Sequence, residues 1–206
     1  TPSKQMIDIF KQELDKDGNY DYRARVSAAW DYPGCTYYLK PFREKFEKDR
    51  WNTTWILKYQ NWNTAEEEAD PPLSCINERA IRYAEVLLFI AEALNEQGKT
   101  EEALVYLNRV RSRALLPVSS ASTQSDVREA IIKERRVELA FENKRWLDLV
   151  RTGSAEQVMK SYGERVKANP SAYYFPEGFS VAPTAFTDIR ILFPLPASEA
   201  ALSPYF

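Results

Sequence analysis

Histidine does not occur anywhere in this 206-residue sequence. That absence removes imidazole as a general base, proton shuttle or metal ligand. Cysteine is nearly as scarce. Cys35 and Cys75 are the only two, too few for a zinc site of the Cys/His kind. They form either one disulfide in an oxidising compartment or two partly buried thiols. An excess of positive charge is also missing. The net charge is −2 and the pI is near 5.5, which excludes a broad basic footprint for nucleic acid. The longest apolar run, residues 86–91, is far too short to span a bilayer. The opening TPSKQMIDIF has no charged segment followed by an apolar one, so no signal peptide is visible. The chain reads as a piece of something longer, with any export signal upstream.

What is present describes a globular chain, with 44% hydrophobic and 28% charged residues. Residues 1–76 are loop-rich and aromatic, with turn signals at Asp17-Gly18, Pro33-Gly34 and Pro71-Pro72. A helix is predicted from Ser3 through Met6, Ile7, Phe10 and Leu14. Residues 20–29 and 53–59 read as short strands or extended loops. Beyond residue 77 the texture turns helical. Ala84, Leu87, Leu88, Ala91 and Leu94 share one helical face. Gly98 suits the left-handed position after that helix. Thr100 is placed to cap a second helix with the stripe Ala103, Leu104, Leu107 and Val110, and Pro117 prevents its continuation. Ser125 is the expected cap of a third, long helix reaching about Arg151 and ended by Gly153. The tail, 152–206, is punctuated by proline. It is expected to wrap over the helices, with a short helix near 155–167 and a strand or extended anchor where Ile189, Ile191, Phe193 and Leu195 alternate. The predicted fold class is mainly α: a tetratricopeptide-like helical hairpin plus a long helix, with irregular loop-rich segments. Residues 1–76 and 77–206 are expected to belong to one structural domain of a longer protein.

The hairpin spacing, with small Ala91 and Ala103 either side of Gly98, is that of a tetratricopeptide repeat of about 34 residues. Leu87 stands where tryptophan is typical. The same spacing is met by a generic helical hairpin, and a single repeat cannot bury its own face.

The segment KERRVELAFENKRWLDLVR interleaves acids and bases with Val137, Ala140, Phe141, Leu147 and Val150. Glu134, Glu138, Glu142 and Asp148 are carboxylates at helical spacing, the raw material of a glycoside hydrolase. Each has a cation within a turn, which holds it ionised, whereas a general acid needs a raised pKa. The expectation is therefore a structural ion-pair network drawn from Arg82, Glu85, Glu134, Arg135, Glu138, Glu142, Arg145, Asp148 and Arg151. No catalytic residue, metal ligand or cofactor motif is assigned.

Four segments carry a resemblance. RYAEVLLFIAEALNE (82–96), AL-x-YLNRVRSRA (103–114), KERRVELAFENKRWLDLVR (133–151) and LFPLPASEAALSPYF (192–206) resemble the carboxy-terminal part of the SusD/RagB family. One departure is Asn143-Lys144-Arg145, where the family often has glycine after Phe-Glu. The resemblance implies an α-rich fold with tetratricopeptide-like pairs as scaffold and irregular loops carrying the ligand site. It implies a non-catalytic nutrient-binding lipoprotein on the outer face of a Gram-negative outer membrane. Its partners would be a glycan, or less often a peptide, and a SusC-type TonB-dependent transporter. The only membrane attachment would be a lipid anchor upstream of this chain.

Aromatic residues crowd residues 20–62, among them Tyr20, Tyr22, Tyr32 and Tyr59. Flat rings match the C–H faces of sugars, and interleaved Arg50, Asn52, Lys58, Asn61 and Asn63 suit their hydroxyls. Trp30, Tyr37, Tyr38, Trp51, Asn52, Trp55 and Trp62 are the candidate ligand contacts. The competing reading is that these rings pack the core. Two other functions remain in play: a tetratricopeptide-type scaffold binding a peptide, and a glycoside hydrolase.

Overall fold

A computed structural model describes residues 2–15, 17–59, 76–173, 178–192 and 194–202. The chain divides into two compact units, 1–145 and 146–206.

In the first unit, helix α1 (Lys4–Phe10) starts at Ser3, whose hydroxyl accepts the Met6 N–H at 3.2 Å. Met6, Ile7 and Phe10 lie on its buried face. The helix stops at Phe10, short of the expected Leu14. Leu14 instead bridges Tyr20 across a tight loop turned by Gly18, whose φ is +79°. Residues 22–27, expected to be extended, form helix α2 (Tyr22–Ser27). The Asp21 carboxylate accepts the Arg23 N–H at 2.8 Å and so supplies the helix start. Arg23, Ala24 and Ser27 then fall on one buried face, a spacing that alternation cannot provide.

Two small antiparallel pairs follow. β1 (Ala28–Ala29) pairs with β4 (Trp55–Ile56), and β2 (Thr36–Tyr37) pairs with β3 (Lys40–Pro41). Tyr38 and Leu39 join the second pair with φ of 48° and 61°, the geometry of a type I′ hairpin turn. Pro33-Gly34 forms a type II turn. Gly34 has φ +82°, and the Cys35 N–H reaches the Tyr32 carbonyl at 3.0 Å. A four-residue helix, α3 (Phe42–Lys45), and a 3-10 turn (Lys48–Arg50) complete this region.

The helical frame is α4 (Tyr83–Glu96), α5 (Thr100–Arg113) and α6 (Gln124–Glu138). Leu87, Leu88, Ala91, Ala103, Leu107, Val110, Val127 and Ile131 form their common core. Gly98 takes the left-handed conformation, φ +77°. Thr100 is not a cap: it is the first helical residue, and its hydroxyl donates to Asn95 Oδ1 at 3.2 Å. Fully buried Asn95 also exchanges hydrogen bonds with Gln124, giving Nδ2–H to its carbonyl at 2.9 Å and accepting its Nε2–H at 2.6 Å. One amide thus ties three helix ends together.

The third helix differs from expectation at both ends. Its cap is Thr123, in a reciprocal capping box with Asp126, not Ser125. It ends at Glu138, and a separate helix, α7 (Arg145–Arg151), follows. Phe141 and Asn143 break the continuity with φ of 64° and 58°, because a left-handed residue cannot propagate the i to i−4 ladder.

In the second unit, Gly153 (φ +69°) ends α7, and α8 (Ala155–Ala168) matches the predicted short helix. A 3-10 turn (Pro170–Tyr173) and α9 (Ala197–Leu202) follow. Tyr162 meets Tyr173 and Phe186 edge-on, with centroids 5.4 and 5.8 Å away. No strand occurs among the described residues 178–192, and Ile191 and Leu192 are exposed. Phe193 lies outside the described residues. No described helix is long and apolar enough to cross a membrane.

Candidate functional site

The aromatic segment separates into two groups. In the first, Trp30 is buried against Met6, Ile7, Ala24 and Val137. Tyr20 and Tyr32 pack on it, with centroids 5.3 and 4.5 Å away, and meet each other edge-on at 5.6 Å. In the second, Tyr37 and Phe42 are buried with Cys35 and Leu57. Phe46 stacks on Trp55 at 4.8 Å and 8°, and the Trp51 indole N–H donates to the Phe46 carbonyl at 2.9 Å. The candidates therefore divide. Trp30 and Tyr37 are interior; Tyr37 packs on Tyr38 and Trp55, while Trp30 belongs to the other group. Tyr38, Trp51 and Trp55 are half-buried, and Asn52 is exposed. Trp62, Asn61 and Asn63 lie outside the described residues, as does Cys75.

Arg43 links the rings to polar chemistry. Its guanidinium lies 4.6 Å from the Trp51 ring centre and makes two bonds to Asp31, at 2.8 and 2.9 Å. Those bonds hold the Asp31 carboxyl below the usual carboxylate range. On either side of the Tyr32-Pro33-Gly34 turn lies an open cleft. One, about 310 Å³, is bordered by Asp31, Cys35, Phe42 and Arg43. The other, about 760 Å³, is bordered by Lys11, Asn19, Tyr20 and Arg25. Burial pushes the Tyr32 phenol and the Cys35 thiol up, so both stay neutral at ordinary pH.

Lys58, read from the sequence as a surface donor, faces inward. It pairs with Glu142 and donates to the Ala140 carbonyl at 3.0 Å. It belongs to a buried ion cluster whose central acids, Glu134, Glu138 and Glu142, come from α6 and the turn after it. Arg23 binds Asp21 and Glu134, both at 2.6 Å, and Glu138 at 3.3 Å. Arg82 reaches Glu138 at 2.5 Å and Glu142 at 2.9 Å. Arg111 reaches Glu134 at 3.0 Å, and Arg113 also pairs with Glu138. Glu85 takes Lys144 at 3.2 Å and Arg135 at 3.6 Å.

The cluster differs from expectation in its partners. The carboxylates are satisfied by cations from distant segments, not by neighbours one turn away. Glu142 takes Lys58 and Arg82 rather than Arg145, because the backbone reverses at Asn143, and Arg145 borders a different cleft. Asp148 and Arg151 form a separate local pair at 2.9 Å in the second unit. Arg23, Arg111 and Arg113 were not singled out. Their only signal is the excess of arginine at otherwise apolar spacings.

Burial pushes Glu134 up despite Arg23 and Arg111. Burial also acts to raise Glu138 and Glu142, but Arg82 and its neighbours hold both below the ordinary value. None of these acids borders the clefts beside the aromatic rings.

The first unit is thus a helical-hairpin frame clamped by buried ions, with aromatic loops in the same unit. The chain belongs to the SusD family, whose sequence pattern matches residues 2–205. It is similar to a solved SusD superfamily protein from Bacteroides vulgatus, with 46% identity and a TM-score of 0.81, covering 98% of this chain and 42% of that one. A SusD homolog from Bacteroides thetaiotaomicron matches at 26% identity and a TM-score of 0.57, over 84% of this chain and 34% of that one. SusD-like protein P2 of Formosa agariphila is 34% identical over 196 residues, 87% of this chain and 34% of that protein. The chain thus spans about a third of the length of that curated relative.

Proposed function

We propose that this chain forms part of a non-catalytic, surface-exposed glycan-binding protein of the outer membrane. In this reading the protein is held by an upstream lipid anchor and hands its cargo to a SusC-type TonB-dependent transporter. Residues 1–76 supply the grip and the helices beyond residue 77 the frame. Tyr38, Trp51, Asn52 and Trp55, with Arg43 beside them, are the proposed contacts; buried Tyr37 packs against Tyr38 and Trp55, and Trp30 serves the core.

The observation that carries the reading is the pairing of half-buried rings with an immobilised polar group: Trp51 stacked on Arg43, itself held by Asp31. Rings offer a flat apolar face to a pyranose, and a pre-set guanidinium meets its hydroxyls without an ordering cost. The absence of catalysis is supported by position and charge. Glu134, Glu138 and Glu142, the acids a hydrolase would use, border neither cleft, and cations hold Glu138 and Glu142 below the ordinary value.

The test is affinity electrophoresis and tryptophan fluorescence of the full-length protein against a glycan panel. Replacing Trp51 and Trp55 together with alanine is expected to abolish binding while helical circular dichroism is kept, and no reducing ends should be released. Undiminished binding by that variant refutes the placement of the site.

A further inference from the structure

The geometry points to the cleft bordered by Tyr20, Tyr32, Lys11 and Arg25 as a subsite for the anionic group of an acidic sugar, a uronate carboxylate or a sulfate ester. This rests on the glycan-binding reading and deepens it by naming a ligand class.

The cleft, about 760 Å³, has the size of a small-ligand site. Its wall is the edge-to-face pair of Tyr20 and Tyr32, backed by Trp30, and Tyr20 is pinned by its bridge to Leu14. Such a wall suits the C–H face of a sugar ring. Among the described residues, the charged ones that border it are Lys11 and Arg25, and no acidic one does. The other clefts differ. In the one beyond the Pro33-Gly34 turn, the Asp31 carboxylate paired with Arg43 itself borders the cleft, whereas Asp15, the partner of Arg25, does not border the proposed subsite. The one between α1 and α6 mixes Asp8 and Glu129 with Lys133, Arg136 and Arg145.

The two cations are held differently. Asp15, buried behind the cleft, accepts the N–H groups of Asp17 and Asn19 on Oδ1, both at 2.9 Å, and receives Arg25 Nη2 on Oδ2 at 3.1 Å. The backbone N–H of Asn19 above all keeps this carboxyl below its ordinary range. Asp15 thereby orients the guanidinium. Arg25 borders the cleft with its side chain 34% exposed, so the oriented guanidinium is open to a ligand oxygen. Lys11 is exposed, stands 5.9 Å from the Trp30 ring centre, and pairs with no carboxylate among the described residues. An anion entering between these groups meets one free ammonium and one oriented guanidinium. The tyrosine rings take the sugar body.

The experiment uses the full-length protein on an array holding oligogalacturonides, sulfated galactans, and neutral glucans, mannans and xylans, followed by titration calorimetry of the hits. Uronate or sulfate ligands are expected to bind, and the class that binds identifies the anion. Exposed Lys11 can be changed without threatening the fold. Lys11→Gln should weaken that binding about tenfold, the loss of one charge-assisted bond, and Lys11→Glu should abolish it. Binding should fall with added salt. Anionic binding that survives Lys11→Gln within twofold, or a preference for neutral glycans, overturns this subsite and leaves the glycan reading standing. Failure to bind any glycan overturns both.

Discussion

Arg23 is the most consequential side chain in the first unit, and its replacement gives a sharp test of the buried cluster. Its guanidinium is almost fully buried and touches three carboxylates. Methionine would fill similar volume without charge. After Arg23→Met, Glu138 would keep Arg82 and Arg113, and Glu134 would keep Arg111. Asp21 would keep no cation among the described pairs, at 2% exposure. Removing one partner of a buried pair and stranding the other costs about 3–5 kcal/mol, a large share of the roughly 5–15 kcal/mol that stabilises a typical domain. Arg113→Met is the control. Arg113 is half exposed, and Glu138 keeps two other cations without it, so the expected loss is below about 1 kcal/mol. Urea unfolding followed by circular dichroism reads both. The double variant Arg23→Met/Asp21→Asn should recover about 1–3 kcal/mol of the single loss, because the stranded charge is gone. Equal midpoints for Arg23→Met and Arg113→Met would refute the argument, as would an absence of rescue.

Further outcomes follow from backbone and packing. Asn143, at φ 58°, occupies the left-handed region that glycine enters freely. Asn143→Gly should hold or raise the thermal midpoint, and Asn143→Val should cost about 1–2 kcal/mol in urea unfolding. Gly163 lies against the Phe186 ring, and a Cβ there would overlap its Cβ and Cγ, so Gly163→Ala should destabilise the second unit by about 1–3 kcal/mol, read by hydrogen exchange in α8. Glu13, Glu138 and Glu142 sit below their ordinary 4.5 in the folded chain. The stability they contribute is present above pH 4.5 and is lost as pH falls through their folded values. Glu134 is raised and acts in the opposite sense, its share being full below pH 4.5 and lost as pH rises. Asp15, Asp31 and Glu96 are lowered as well, so the lowered carboxylates outnumber Glu134, the urea midpoint should fall on acidification below about pH 4.5, and a midpoint that rises there would contradict the balance.

Helix period and turn chemistry were legible without coordinates. The α4 stripe, left-handed Gly98 and α8 all follow from local rules that need few distant contacts. The break between α6 and α7 was not legible, because residues 133–151 keep helical spacing while their backbone reverses at Phe141 and Asn143. That conformation is imposed by partners: Lys58 donates to the Ala140 carbonyl, and Arg82 to the Glu138 carbonyl at 2.5 Å. Helix α2 was missed for a related reason. Its start depends on the Asp21 cap, and its buried face on an arginine that reads as polar. The burial of the individual candidate residues was not legible. Nothing in the order Trp30, Tyr37, Trp51, Trp55 separates the buried first two from the half-exposed last two. That division depends on α1 packing over Trp30 and on the β1–β4 pairing.

The ion cluster explains how one frame can carry different loops. Glu134, Glu138 and Glu142 come from α6 and the turn after it, and their cations come from α2, β4's exit at Lys58, the start of α4 and the end of α5. Every segment that brackets the aromatic loops therefore ends on a buried charge with a specific partner. Apolar contacts alone would tolerate slippage, since packing accepts many arrangements of similar volume. A buried carboxylate does not, because a shift of one residue leaves it unpaired at a cost of several kcal/mol. Between these anchors, residues 30–55 contribute only a small core around Phe42 and Leu57. Their exposed rings and cations can change while Arg23 and Lys58 hold both ends in register. Charge inside this protein sets geometry, and in the proposed reading charge at the cleft selects the ligand.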